Sequence, residues 1–262
     1  MIALMIKNHT NLNVETKLNL GTTAIAQNAL LKGEIDLYPE YTGTAYLTVL
    51  HKKYNPNLST QAMFNTLKAD YQKQFNLTWL PPFGFNNSQT IAIPKALAQK
   101  LNISNLSQLA PYLNQITLAA PPEFLERADG LKGLEKAYQL KFTHIRQMTP
   151  DLMYAALASK QVNAILAFTT DGRLQSHNLQ LLDDNKHFYP PYDAAIIIRE
   201  QTLKQHPEIY CALKPLFNRL NNKTMQTLNN QVDSLHKTPY EVAKNYLKTN
   251  RLLSRDLSCT NN

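Results

Sequence analysis

The chain has 262 residues, a formal net charge of +8, 44% hydrophobic and 18% charged residues, and 7 glycines against 14 prolines. These figures suit a globular protein long enough for two modest cores and argue against low complexity or disorder. The positive balance raises nucleic acid as a partner. Lysines and arginines are spread singly, however, the largest local cluster being His51-Lys52-Lys53, so no basic stripe is present to follow a phosphate backbone.

No stretch approaches the roughly 18 apolar residues of a membrane span. The opening Met1-Ile2-Ala3-Leu4-Met5-Ile6-Lys7 lacks the charged start and cleavage site of a signal peptide. Cys211 and Cys259 are too far apart for a metal-ligand pair and imply no disulfide framework; Cys259, in a polar tail, is expected to be free. Catalytic signatures are missing: there is no Gly-x-Ser-x-Gly elbow, no His-Glu-x-x-His pair and no phosphate-cradling glycine loop, and the histidines are scattered. Asp36 and Glu40 read as structural hydrogen-bond acceptors rather than an acid/base pair. The chain is therefore expected to be neither an enzyme nor a holder of metal or cofactor.

In chain order, residues 2–8 read as a helix, and 14–18 alternate apolar and polar as a strand does. Residues 24–32 form a helix ended by Gly33, and 35–38 a buried strand, together a β-α-β unit of a parallel sheet. After Pro39, Thr42 or Thr44 can cap a helix over 45–50, presenting Tyr41 and Thr44 at the strand tip, where open α/β sheets bind ligands. Residues 60–75 have helical spacing, and 77–80 form a strand whose Trp79 reads as core rather than a ligand stacker. A helix over 94–101 with proline in its first turn, a strand over 116–120 and a short helix over 123–127 follow. Residues 142–145, 150–159 and 162–168 make a second β-α-β unit. Residues 179–184 end in a carboxylate pair, Asp183-Asp184, expected in a solvated turn. Segments 208–220, 224–232 and 239–247 are amphipathic helices, and the tail from Ser254 is expected to be loose. Three Pro-Pro pairs, 81–82, 121–122 and 190–191, follow apparent strands and serve either as stiff linkers beside hinges or as rigid surface loops.

Tyr38-Pro39-Glu40-Tyr41-Thr42-Gly43-Thr44 closely resembles the signature turn of ABC-transporter substrate-binding proteins for glycine betaine, choline and carnitine. Four further stretches carry the likeness. Asn86-Asn87-Ser88-Gln89 resembles the crossing into the family's second lobe, with Gln89 where tyrosine is usual. Glu123-Phe124-Leu125-Glu126-Arg127-Ala128-Asp129-Gly130-Leu131 resembles its Glu-Phe-x-x-Arg-Pro-Asp-Gly-Leu element, with Ala128 in place of proline. Phe168-Thr169-Thr170-Asp171-Gly172-Arg173 resembles its aromatic-Ser-Thr-Asp-Gly-Arg turn, and Phe188-Tyr189-Pro190-Pro191-Tyr192 its return crossing. The family's opening strand, with its lysine turn, has no counterpart ahead of Ile2.

The resemblance implies a two-lobed α/β fold of the periplasmic-binding-protein kind (type II), with two mixed sheets flanked by helices and two hinge crossings. Residues 1–85 with 191–262 would form lobe I and 86–190 lobe II. It implies a quaternary amine in an aromatic cleft between the lobes, an ABC permease as partner and an extracytoplasmic or periplasmic, membrane-associated setting. Carried over residue by residue, the box is Tyr41, Phe168 and Tyr192, with Gln89 at the fourth ring's place. Thr44 and Arg127 fall where the family holds a carboxylate, and Asn87 lies beside the box. A quaternary ammonium cannot donate hydrogen bonds, so ring faces suit its diffuse charge; one lost ring, at about 1–2 kcal/mol, weakens binding about five- to thirtyfold. Gln89 either hydrogen-bonds a polar ligand or faces water, and Arg127 is either a carboxylate fork or the ion-pair partner of Asp129 or Glu123. The alternatives implied are a sensing domain fused to a permease and a truncated homologue with weakened or lost binding.

Overall fold

The computed structural model describes residues 1–127 and 129–254. The chain separates into two compact units, Met1–Asn87 with the chain from Pro191 onward, and Ser88–Pro190. The strands among the described residues are β1 (Leu37–Tyr41), β2 (Leu77–Trp79), β3 (Gln89–Pro94), β4 (Thr117–Ala120), β5 (His144–Gln147), β6 (Ala164–Phe168), β7 (Leu179–Leu181) and β8 (Ala194–Arg199). Helices accompany both sheets, giving an α/β architecture.

The first unit is organised on three strands in the order β1-β8-β2, with both pairings antiparallel. Residues 194–198 of β8 are all buried, as a central strand covered on both faces requires. Side chains alternate along a strand, so Ala194, Ile196 and Ile198 enter one apolar cluster while Ala195 and Ile197 enter another. Met5 and Ile6 of helix Ile2–His9 and Ile209 and Leu213 of helix Glu208–Leu213 belong to the first cluster. Leu30 of helix Thr23–Lys32 and Met63, Leu67 and Tyr71 of helix Thr60–Phe75 belong to the second. Trp79 is buried there, edge-on to Tyr71 at 5.4 Å, as a core residue. Each fully buried isoleucine contributes about 1.5–3 kcal/mol, so β8 anchors this unit.

Several local expectations change in this unit. Residues 14–18 form no strand; Leu18 is 78% exposed, so its alternation finds nothing to pack against, and the expected β-α-β unit is replaced by antiparallel pairing of β1 with β8. Pro39 does not end β1. Arg199 donates to the carbonyl of Asp36 and Thr42 to that of Asp193, so the even positions of β1 bond β8. Pro39 therefore turns its donor-less nitrogen to the strand's outer edge, where proline is tolerated. The helix after β1 begins at Thr42, with Tyr41 rather than a threonine at the cap, and continues as a π-helical turn over Ala45–Val49. Cys211 is disulfide-bonded, which corrects the expectation of unpaired cysteines; Cys259, Ala128 and the tail beyond Ser254 lie outside the described residues.

The second unit carries five strands in the order β5-β4-β6-β3-β7. β4 runs parallel to β5 and β6, and β3 antiparallel to β6 and β7. Helix Pro150–Ala158 connects β5 to β6, completing the second β-α-β unit. β5 starts two residues later than the sequence predicts, because Phe142 is drawn into the core while His144 begins the exposed edge strand. Among the described residues, no helix is long and apolar enough to cross a membrane.

Candidate functional site

In the first unit, the turn after β1 is stitched to the segment that returns into β8. Thr42 is buried; its N–H donates to the carbonyl of Asp193 at 3.0 Å and its hydroxyl to the carbonyl of Pro191 at 2.8 Å. The same hydroxyl accepts the N–H of Asp193 at 3.0 Å, 151 positions away in sequence. Gly43 lets the two segments touch: a Cβ there would stand 2.7 Å from the Tyr192 ring and 2.9 Å from the Pro191 carbonyl oxygen. Asn87 N–H donates to the carbonyl of Tyr192 at 2.9 Å, and the Asn87 side chain is hydrogen-bonded to the Tyr41 phenol. Tyr41, Asn87 and Tyr192 are thus brought together within one unit. Thr44 sits in the same short helix, three residues beyond Tyr41, with its carbonyl accepting the Thr48 hydroxyl at 2.7 Å.

Behind this turn lies a buried polar cluster. Glu40, 4% exposed, accepts the N–H of Tyr41 on Oε1 at 2.7 Å and the Tyr38 hydroxyl on Oε2 at 3.2 Å. Thr23 adds a side-chain hydrogen bond, and the Tyr38 hydroxyl is shared with Gln27 Oε1 at 3.1 Å. Burial outweighs these bonds and raises the Glu40 carboxyl above its ordinary range. Burial likewise raises Asp193, against a hydrogen bond from Asn86, and the Tyr41 phenol, against the Asn87 bond. Asp36 accepts the Thr202 hydroxyl at 2.8 Å, so both Asp36 and Glu40 act as hydrogen-bond acceptors.

In the second unit, Gln89 stands directly across the β3–β6 ladder from Phe168, which is 41% exposed. Gln89 is buried, and its Nε2 donates to the carbonyl of Asp129 at 3.1 Å. The Asp129 carboxylate takes a bidentate fork from Arg127, Nε to Oδ1 at 2.7 Å and Nη2 to Oδ2 at 2.6 Å. Of the readings open for Arg127, the ion pair with Asp129 is therefore present, with the arginine side chain 36% exposed. Gly130 permits the tight return, since a Cβ there would lie 1.9 Å from the Phe124 carbonyl oxygen. Gln89, Arg127 and Phe168 thus form a second cluster. The turn after Phe168 is held by the Tyr154 hydroxyl donating to Asp171 at 2.6 Å and by the Arg173 guanidinium 4.1 Å from the Tyr154 ring centre.

Several positioning groups escaped sequence reasoning. Asp184, expected in a solvated turn, instead accepts the N–H groups of Phe188 and Tyr189 at 3.0 and 2.8 Å and the Tyr138 hydroxyl, because the strand before it delivers it beneath the return segment. Thr42, read from the sequence only as a possible helix cap, instead bonds Pro191 and Asp193 far along the chain, and Gln27, which meets the Tyr38 hydroxyl, went unassigned. Gly43 was visible in the motif, but only its contact with Tyr192 gives it a role. Among the described residues, no group of three or more His, Cys, Asp or Glu could hold a metal ion.

Residues 1–249 match the family model described as the substrate-binding domain of ABC-type glycine betaine transport systems. The chain is 41% identical over 228 residues to the "ergothioneine transport permease/ergothioneine binding protein EgtU" of Helicobacter pylori strain G27, covering 87% of this chain and 40% of that protein. It therefore spans well under half the length of that relative. It is 36% identical over 252 residues to a glycine-betaine-binding protein of Pseudomonas aeruginosa, covering 92% of this chain and 80% of that one. Among solved structures, a glycine betaine/carnitine/choline ABC transporter protein superposes with a TM-score of 0.87 at 28% identity, covering 97% of this chain and 93% of that one. Apo YehZ from Escherichia coli superposes with a TM-score of 0.76 at 32% identity, covering 96% and 92%. The signature turn, the sheet order on which it sits and these likenesses agree: the chain belongs to the family of substrate-binding domains of ABC-type glycine betaine transport systems.

Proposed function

We propose that the chain captures a small quaternary amine outside the cytoplasm and presents it to an ABC permease. The observation that carries this reading is the packing of the Tyr41 turn against Tyr192 through Gly43, which sets two aromatic residues together in one unit without local sequence proximity. The rings proposed to meet the ammonium head are Tyr41 and Tyr192 of the first unit and Phe168 of the second. Ring faces suit a charge that has no N–H to donate. Thr44 and Arg127 are proposed to meet the other end of the ligand, with Asp129 fixing the guanidinium plane. Asn87 steadies the Tyr41 phenol, and Gln89 offers an amide where the family holds a fourth ring. The disulfide at Cys211 supports an extracytoplasmic setting, since such bonds are rare in reducing compartments.

The test is a thermal-shift and calorimetric screen with glycine betaine, choline, carnitine, proline betaine and ergothioneine. A ligand present at a hundred times its dissociation constant stabilises by about 2.7 kcal/mol, a clear rise in Tm. No rise with any of the five overturns the reading. Ergothioneine belongs in the screen because the Helicobacter relative is named for it.

A second form, a binding domain working in the same polypeptide as its permease, is favoured by that relative, whose name joins the two activities. Reading the complete open reading frame for membrane-spanning segments decides it.

A further inference from the structure

The Glu40 pocket is built for a negative charge yet supplies no positive one. Every donor aimed at the carboxylate is neutral: the Tyr41 N–H, the Tyr38 hydroxyl and the Thr23 side chain. Two more donors in the same core, Gln27 Nε2 and the Tyr71 hydroxyl, are buried without a partner. Among the described residues, no lysine, arginine or histidine nitrogen lies within ion-pair distance of Glu40. The titratable groups facing it are the phenols of Tyr38 on its own strand and Tyr71 on helix Thr60–Phe75; the Tyr41 side chain, next along the strand, lies on the opposite face of the sheet, helix Thr23–Lys32 presents the neutral Thr23 and Gln27, and β8 places Ala195 opposite. A buried carboxylate without a cation is costly, and a glutamine would satisfy the same Tyr41 N–H at lower cost. The Glu40 charge also reaches the next residue, adding to the rise of the Tyr41 phenol.

We infer that Glu40 is the electrostatic counterpart of the bound quaternary ammonium, a specificity residue acting through its charge from the position beside Tyr41 rather than by touching the ligand. The inference rests on the quaternary-amine reading above. A fixed cation at Tyr41 favours the carboxylate over the carboxylic acid, so binding and ionisation of Glu40 are linked. Where Glu40 is protonated in the free protein, ligand binding drives its proton to solvent. Affinity then falls as the medium is acidified, by at most about tenfold per pH unit.

The experiment is calorimetric titration of wild type and Glu40→Gln with choline and glycine betaine from mildly acidic to mildly alkaline pH. Glutamine retains the acceptor for the Tyr41 N–H but not the charge. Wild-type affinity is expected to rise with pH and level off, while E40Q varies less with pH, Asp193 remaining as a second buried carboxyl, and is about three- to thirtyfold weaker on the plateau. E40Q matching the wild type in affinity and pH profile overturns the assignment and leaves the amine reading standing. A wild type that binds neither amine overturns both. Should E40Q fail to fold, wild-type titrations in buffers of different ionisation heat decide the matter: proton release on binding at acidic pH supports the assignment, and its absence overturns it.

Discussion

The two units carry their clusters in opposite ways. In the first, the polar groups of the turn are spent on one another: Thr42 on Pro191 and Asp193, Asn87 on Tyr192 and Tyr41, and Tyr192 as a residue is only 5% exposed. In the second, Phe168 is 41% exposed and Arg127 projects from a turn held by its own fork to Asp129. The contrast teaches that one cluster is fixed by its contacts before any ligand arrives, whereas the other presents its groups outward. Perturbing the first should damage fold and binding together; perturbing the second should damage binding alone.

The sharpest way to break this contrast is Gly43→Ala. Its methyl meets the Pro191 carbonyl, backbone that cannot swing aside, as well as the Tyr192 ring. Overpacking of this kind costs about 1–3 kcal/mol, and binding is expected to drop more than about tenfold, read by urea denaturation and calorimetry. Thr42→Val keeps the shape but strands the Asp193 N–H and the Pro191 carbonyl, at about 1–3 kcal/mol of stability by the same denaturation measurement. Phe168→Ala should leave the denaturation midpoint within about 0.5 kcal/mol of wild type while weakening amine binding by about 1–2 kcal/mol. A large loss of stability in F168A would erase the distinction between the units. Gln89→Tyr restores the family's usual ring and is expected to tighten glycine betaine about fivefold, a gain limited by losing the bond to Asp129; no gain in calorimetry would remove position 89 from the site.

The smallest effect concerns pH. Glu40 and Asp193 both have carboxyls raised by burial, so the folded chain holds their protons more tightly than the unfolded chain does. The stability they contribute is therefore greatest below the ordinary carboxylate range and is lost as pH rises from there through their raised folded values. Tm followed across that window should decline for the unliganded wild type and decline less steeply in Glu40→Gln.

How much was legible in the sequence differs element by element. Helix 60–75 was readable because its apolar residues repeat at helical spacing, and the structure ends it at the same residues, with Ser59 as its cap. Residues 14–18 misled because alternation describes a strand only where a neighbouring strand exists to pair with it. Pro39 misled in the other direction, since a proline at an outward position of an edge strand removes no ladder bond. Of the candidate site, the motif offered Tyr41, Tyr192 and Phe168 as rings, Thr42 only as a helix cap and Glu40 only as a structural acceptor, because the Thr42 partners Pro191 and Asp193 lie far along the chain and the Glu40 partner Thr23 on a separate helix. Arg127 shows the limit most plainly: residue type left both a fork for a ligand carboxylate and an ion pair with Asp129 or Glu123 open, and only the structure shows the fork to Asp129 formed.

The outer rim of β1 bears on how the molecule keeps to itself. Of the three positions there, Pro39 has no hydrogen to give and Tyr41 has already surrendered its own to the Glu40 side chain. A stray strand arriving from another copy would find a broken ladder with mainly Leu37 to grip, and so would gain little by adding itself to the sheet. Pro39 and the bond from the Tyr41 N–H to Glu40 thereby discourage the molecule from growing into aggregates.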